Sequence, residues 1–207
     1  MNLSCTILSH PQRQARAVAL AGRLLSLHPS VMVDRTRTAG NLQAAMLAWA
    51  EHGSTGYHLV IQDDALPATG FITSARAAVE VAEGAAVAFW MRPWLPEATL
   101  HKRAGWGTLV PLSVEYHWPP TVALALPCEL ITSLLDHQWR CHPDARYDDD
   151  VIGCWMAEQE LELRVCSPSI CDHDEAMASI LNGQRRPHPY RQRTHLAERA
   201  PTEWRLV

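Results

Sequence analysis

The feature that most constrains this chain is a run of short apolar segments alternating with helical patterns. Leu3 to Ser9 reads as a strand that stops at His10-Pro11. Gln12 to Leu27 then repeats apolar residues at helical spacing, with Ala15, Val18, Ala19, Leu24 and Leu25 on the repeat, until His28-Pro29 ends it. Val31 to Asp34 is a second strand, and Asn41 is placed to cap a helix running to about His52. Tyr57 to Ile61 is the clearest strand; it breaks at Gln62-Asp63-Asp64 and leads through Pro67 and Gly70 to a helix over Phe71–Glu83. Ala85 to Trp90 makes a fourth strand. Strand–helix alternation of this kind suits a sheet covered on both faces. The expected class is α/β, with a mostly parallel central sheet and helices on both faces.

The second half is less regular. Met91 to Pro120 reads as a long loop region with short strands, and Thr121 to Leu126 as a strand. Pro127 can then open a helix to about Trp139 from its first position. Asp148-Asp149-Asp150 precedes a helix over Val151–Glu160, whose positive end the carboxylates favour. Glu162 to Cys166 is a last strand, followed by Pro168-Ser169-Ile170-Cys171-Asp172-His173. The 207 residues suffice for one substantial domain, expected over 1–181. Residues 182–207 form a basic tail, either packed on the domain or partly disordered, with six Arg against two Glu.

Composition removes several function classes. A net charge of −4 disfavours a surface that traps nucleic acid everywhere. No apolar stretch approaches the roughly 18 residues that span a bilayer, and Met1 to Cys5 lacks the charged start and apolar core of a signal peptide. The six Cys form no CxxC pair and are expected to be reduced thiols in a cytoplasmic protein. The phosphate loop GxxxxGK[ST], the dinucleotide fingerprint, the GxSxG elbow and HExxH are all absent. Cys166, Cys171 and His173 match none of the usual zinc spacings.

Parallel sheets take their ligands outside the carboxyl ends of the strands. His10 to Arg13, Asp34 and Gln62-Asp63-Asp64 all fall at such ends, so one cleft can gather them. Carboxylates at the end of a buried strand are poorly placed for stability and well placed for a hard divalent cation. The same residues also read as an Asp turn capping the next helix, and Asp148 to Asp150 as a helix-start charge cluster.

The segment "hydrophobic strand–Gln62-Asp63-Asp64–x–x–Pro67–x–x–Gly70-Phe71" resembles the metal-site segment of small GT-A-fold glycosyltransferases, nearest to the lipopolysaccharide-type and phage-encoded members. The resemblance extends over most of the chain. Ser9-His10-Pro11-x-Arg13 is similar to the family's nucleotide-binding first loop, Tyr147 to Asp150 to its acidic catalytic segment, and Pro168 to His173 to its terminal "P-S-L-V-x-H" element. Gln62 stands where many members carry an acid. The resemblance implies a GT-A-like fold and a DXD-like, metal-dependent transferase that moves a hexosyl or pentosyl group from a nucleotide sugar to a hydroxyl. It implies Asp64 and His173 as ligands of Mn2+ or Mg2+, and Ser9, His10, Arg13, Asp34, Gln62 and Asp63 as donor-binding residues. In an inverting enzyme Asp149, then Asp150, would be the catalytic base, a role that falls away if configuration is retained. Trp106 and Trp118 read first as core or loop anchors and second as a stacking platform for the acceptor.

That acceptor is a glycan or a hydroxymethylated base in phage DNA, placing the protein in a bacterial or phage-infected cell. Arg185, Arg186, Arg191 and Arg193 are the residues for a DNA contact, although a solvated, partly disordered C-terminus is the favoured account of them. A nucleotidyltransferase on a related sheet, or a non-catalytic nucleotide-sugar-binding module, would use the same strand-end residues.

Overall fold

A computed structural model describes residues 1–35, 41–90, 107–112, 119–141, 144–174 and 199–206. Its strands are β1 (Leu3–Ser9), β2 (Ser30–Val33), β3 (Tyr57–Gln62), β4 (Ala65–Pro67), β5 (Ala86–Ala88), β6 (Gly107–Leu112), β7 (Ala123–Pro127), β8 (Leu163–Ser167), β9 (Cys171–His173) and β10 (Trp204–Leu206). Its helices are α1 (Gln14–Arg23), α2 (Leu42–Ala50), α3 (Phe71–Glu80), α4 (Cys128–Cys141) and α5 (Asp148–Glu158). Among the described residues, eight strands form one sheet in the order β10-β6-β8-β5-β7-β3-β1-β2, while β4 and β9 form a separate ribbon. None of the described helices is long and apolar enough to cross a membrane.

The α/β class and the helices on both faces are as the sequence implies. Cys5 and Ile7 of β1 and Leu59 and Ile61 of β3 face Leu20 of α1 and Phe71 and Val79 of α3. Leu8 and Val60, one position off, face Trp49 of α2, Ile131 of α4 and Trp155 of α5. Side chains alternate across a strand, so both faces of β1 and β3 are covered, and the polar Thr6 and His58 are buried with their apolar neighbours.

The sheet is more mixed than expected. β1 pairs in parallel with β2 and β3, β5 with β8, and β10 with β6. β7 is antiparallel to both of its neighbours, β3 and β5, and β6 is antiparallel to β8. β3 and β8 consequently run the same way, and both finish at one edge.

Several boundaries depart from the sequence reading. The expected helix over Gln12–Leu27 opens as a tight 3-10 turn, Pro11–Arg13, in which His10 Nδ1 accepts from the Gln12 N–H at 3.2 Å. It closes through a second such turn, Leu25–Leu27. Pro127 ends β7 rather than starting α4. Asp148 to Asp150 form the first turn of α5 instead of preceding it. Asn41 occupies the cap position of α2, and its carbonyl accepts from the Ala45 N–H at 2.9 Å, but its side chain does not cap the helix.

Two glycines sit where a side chain would collide. Gly56, at φ +84°, lies where a Cβ would come within 2.3 Å of the Asn2 carbonyl oxygen, the acceptor for Tyr57 N–H that sets the β1–β3 register. Gly107 opens β6 under the Trp204 ring, and a Cβ there would lie 2.4 Å from it. Trp204 cannot swing aside freely, because its Nε1 donates to the Ser74 carbonyl and hydroxyl at 3.0 and 3.1 Å. Gly107→Ala should therefore destabilise the fold by about 1–3 kcal/mol, the usual cost of overpacking, read as a lower urea midpoint with an unchanged m-value.

Candidate functional site

The carboxyl edge of the sheet is organised by two adjacent aspartates. β3 ends at Gln62, and the Asp63 N–H extends the ladder to the Leu8 carbonyl at 3.0 Å. Strand alternation turns Gln62 away, towards the face of α2, α4 and α5, where its Nε2 lies 3.4 Å from Thr121 Oγ1. Asp63 falls on the α1 face. Its Oδ2 accepts from the His10 N–H at 2.8 Å and the Ser9 hydroxyl at 3.1 Å, and its Oδ1 from Arg13 Nη1 at 3.2 Å. The same Arg13 nitrogen reaches Asp64 Oδ2 at 2.7 Å.

The ribbon completes the cluster. Antiparallel pairing of β4 with β9 places Ala65 opposite His173, and the Asp174 N–H donates to the Asp64 carbonyl at 2.8 Å. His173 Nε2 then lies 3.2 Å from Asp64 Oδ2, and the Trp90 ring lies 6.2 Å from the His173 ring, centroid to centroid. Ser9, His10, Arg13, Asp63, Asp64 and His173, which come from three distant parts of the sequence, thus form one bonded group. Asp34 is held beside it, its N–H donating to the Ser9 carbonyl at 2.8 Å.

The two aspartates differ in their surroundings. Burial pushes the Asp63 carboxyl above its usual range, and the Asp64 charge adds to this, while the His10 N–H and Arg13 partly offset it. Burial acts on Asp64 in the same direction, but His173 and Arg13 outweigh it and leave that carboxyl below the usual range. Asp64 Oδ1 is buried, and among the described residues no hydrogen-bond partner reaches it.

α5 begins at the same edge. Asn41 Nδ2 donates to Asp148 Oδ1 at 2.8 Å and Asn41 Oδ1 accepts from the Asp148 N–H at 3.2 Å, so the starts of α2 and α5 are joined. Of the three successive aspartates, Asp148 is the buried one, whereas Asp149 and Asp150 are half-exposed. Asp149 Oδ1 accepts from the Asp150 N–H at 3.1 Å. Burial, helped by the Asp149 charge, pushes Asp148 up to about 6 from an ordinary 3.8.

The sequence reading missed three parts of this arrangement. Arg16 pairs with Asp174 at 2.5 Å, and Arg23 Nη2 donates to the Pro67 carbonyl at 2.5 Å. With Arg13 they fall on one side of α1 at helical spacing, a pattern the sequence does carry. The Asn41–Asp148 joint, across 107 positions, left no local trace. Trp106, Trp118, Arg185, Arg186, Arg191 and Arg193 lie outside the described residues.

Among the described residues, no three His, Cys, Asp or Glu side chains converge as a closed metal cage. A magnesium-like ion does not need one, since it often takes one or two carboxylates and fills its remaining positions with phosphate oxygens and water. The unsatisfied Asp64 Oδ1, with the His173 imidazole on the same carboxylate, fits that partial donor set.

No family model matches the chain, and no curated protein matches it. Among solved structures, it is similar to the inositol-1-phosphate CTP transferase from T. maritima, at 10% identity and a TM-score of 0.43, over 80% of this chain and 66% of that one. The chain thus spans slightly under two thirds of that protein's length. It is also similar to a protein from Bacillus anthracis described as a glucose-1-phosphate thymidylyltransferase, in complex with a sucrose, at 11% identity and a TM-score of 0.39, over 83% of this chain and 89% of that one. At 10% and 11% identity, no residue role carries over from either.

The raised Asp148 gives a prediction with a definite sign. Between pH 3.8 and about 6 the folded protein keeps a proton that the unfolded chain releases, so stability falls as pH rises through this window. Asp148→Asn removes the titration and retains an amide able to meet Asn41. It should be more stable than wild type by about 2–3 kcal/mol at pH 8, a difference that vanishes near pH 3. Urea unfolding at the two pH values checks it.

Proposed function

We propose that this chain is a glycosyltransferase that moves a sugar from a nucleotide-sugar donor to a hydroxyl acceptor. The observation that carries the reading is the closure of Asp63-Asp64, at the end of β3, by the β1 loop on one side and His173 of β9 on the other. Strand-end crevices of this kind are where α/β sheets take nucleotides, and the motif order matches the resemblance drawn from the sequence.

Transfer breaks the anomeric C–O bond and releases a nucleoside diphosphate, on which negative charge develops. A divalent cation, when bound, stabilises that charge. Asp64 and His173 are the residues to hold it. Arg13, anchored at the start of α1, offers a planar guanidinium that suits phosphate oxygens. Asp63 is committed to Ser9, His10 and Arg13, so its role is to fix the β1 loop in the shape that receives the donor. Recognition of the nucleoside is assigned to Asp34, whose N–H bonds the Ser9 carbonyl.

Asp149 remains the first choice for the base that takes the acceptor proton, with Asp150 second. Asp148 is too buried to meet an acceptor, and its bond to Asn41 instead holds the start of α5 in place. Trp106 and Trp118 are assigned to the acceptor, a glycan or a hydroxymethylated base.

A screen of nucleotide sugars with Mn2+ or Mg2+ tests the reading, because transferases of this kind slowly hydrolyse their donor when no acceptor is present. Release of the nucleoside diphosphate is the expected product. Pyrophosphate or a nucleoside monophosphate would identify a nucleotidyltransferase instead, and binding without turnover a non-catalytic module. Asp64→Ala should abolish the gain in nucleoside diphosphate affinity that metal confers. Asp149→Asn should lower transfer at least a hundredfold, within the range of general-base assistance, while donor binding is nearly unchanged. If Asp150→Asn alone has this effect, the base lies one residue later.

A further inference from the structure

Arg13 is bonded to the carboxylate that a cation at Asp64 would share. Its Nη1 lies 3.2 Å from Asp63 Oδ1 and 2.7 Å from Asp64 Oδ2, and its side chain is only 9% exposed, between carboxylates at 5% and 8%. Two buried carboxylates this close repel each other unless a positive charge stands between them, and Arg13 supplies it. The seat is firm. Arg16 and Arg23, on the same side of α1, hold Asp174, the residue after β9, and the Pro67 carbonyl of β4, so the helix is fastened to both sides of the ribbon.

The other oxygen of Asp64 is in the opposite situation. Oδ1 is buried and, among the described residues, has no hydrogen-bond partner. It is the atom with lone pairs left for a hard cation, but it belongs to the carboxylate whose Oδ2 Arg13 already holds. Two positive centres on one buried carboxylate repel each other, and the low local dielectric makes that repulsion stronger than in water.

We propose that Arg13 is a resident counter-cation that keeps a free divalent ion off Asp64 and yields when a diphosphate draws the guanidinium onto its own oxygens. Cation and diphosphate then bind as a coupled pair, each raising the affinity of the other by the same factor. The diphosphate half rests on the transferase reading above. The exclusion half stands on the ion cluster alone and is testable without any nucleotide.

The experiment titrates Mn2+ alone into the full chain and follows the free ion by electron paramagnetic resonance. Arg13→Gln should bind Mn2+ at least tenfold more tightly than wild type, and adding Asp64→Asn should cancel the gain. Because Arg13→Gln leaves two carboxylates facing each other, the double variant Arg13→Gln, Asp63→Asn guards against misfolding. It keeps the net charge of the original trio, and it should show the same tightening. Mn2+ should also raise the melting temperature of the double variant while leaving that of wild type unchanged. Equal Mn2+ affinity in wild type and in the double variant would overturn the proposal, as would a gain that survives Asp64→Asn. A chain that hydrolyses no nucleotide sugar yet shows the expected Mn2+ pattern would lose the transferase reading and retain the exclusion.

Discussion

Burying Asp63 and Asp64 side by side at the end of β3 sets the condition that the rest of this edge must meet. A charged group removed from water costs several kcal/mol unless it is paired and hydrogen-bonded. Here the compensation comes from separate elements: the Ser9 hydroxyl and His10 N–H at the end of β1, Arg13 in the turn before α1, and His173 on β9. None of these partners is within forty residues of the pair. The ion cluster can therefore be satisfied only when the β1–β3 pairing, the α1 turn and the β4–β9 ribbon are all in place, which makes it a checkpoint for the tertiary fold as well as a candidate site.

The sheet supplies the rigidity this requires. β1 and β3 are buried on both faces and joined in parallel over six residue pairs, so the Ser9 and Asp63 positions are fixed relative to each other by backbone alone. The ribbon is less strongly determined. β4 and β9 are three residues each, too short to be stable in isolation. The α1 arginines hold them, and the same helix thereby positions Arg13 and the strands that bring His173 to Asp64.

The long buried strands were legible because their physical signal is local. Leu3–Ser9 and Tyr57–Gln62 are short, mostly apolar segments that end at polar residues, and the structure returns them within a residue. Two of the short strands were not: β4 contains a proline, β9 reads Cys-Asp-His, and each is paired with the other. The strand-end clustering of Ser9, His10, Arg13, Asp63 and Asp64 followed from the topology of α/β sheets. The face of each residue required the alternation to be applied strictly, which separates Gln62 from its neighbour Asp63. Asn41 shows the limit most plainly. An asparagine before an apolar helix reads as its cap, but a buried carboxylate 107 positions away outcompetes the helix for its amide.

The placement of β7 has a consequence for how the chain is made. β7 lies between β3 and β5, and it follows both in sequence. While the chain emerges from a ribosome, the Tyr57–Ile61 backbone has one edge satisfied by β1, and its other edge stays unpaired until Ala123–Pro127 has been synthesised. An apolar strand with an open edge is a template for pairing with a second chain. The interval between β3 and β7 is therefore a period of aggregation risk during translation, and slow elongation over residues 63–122 would lengthen it.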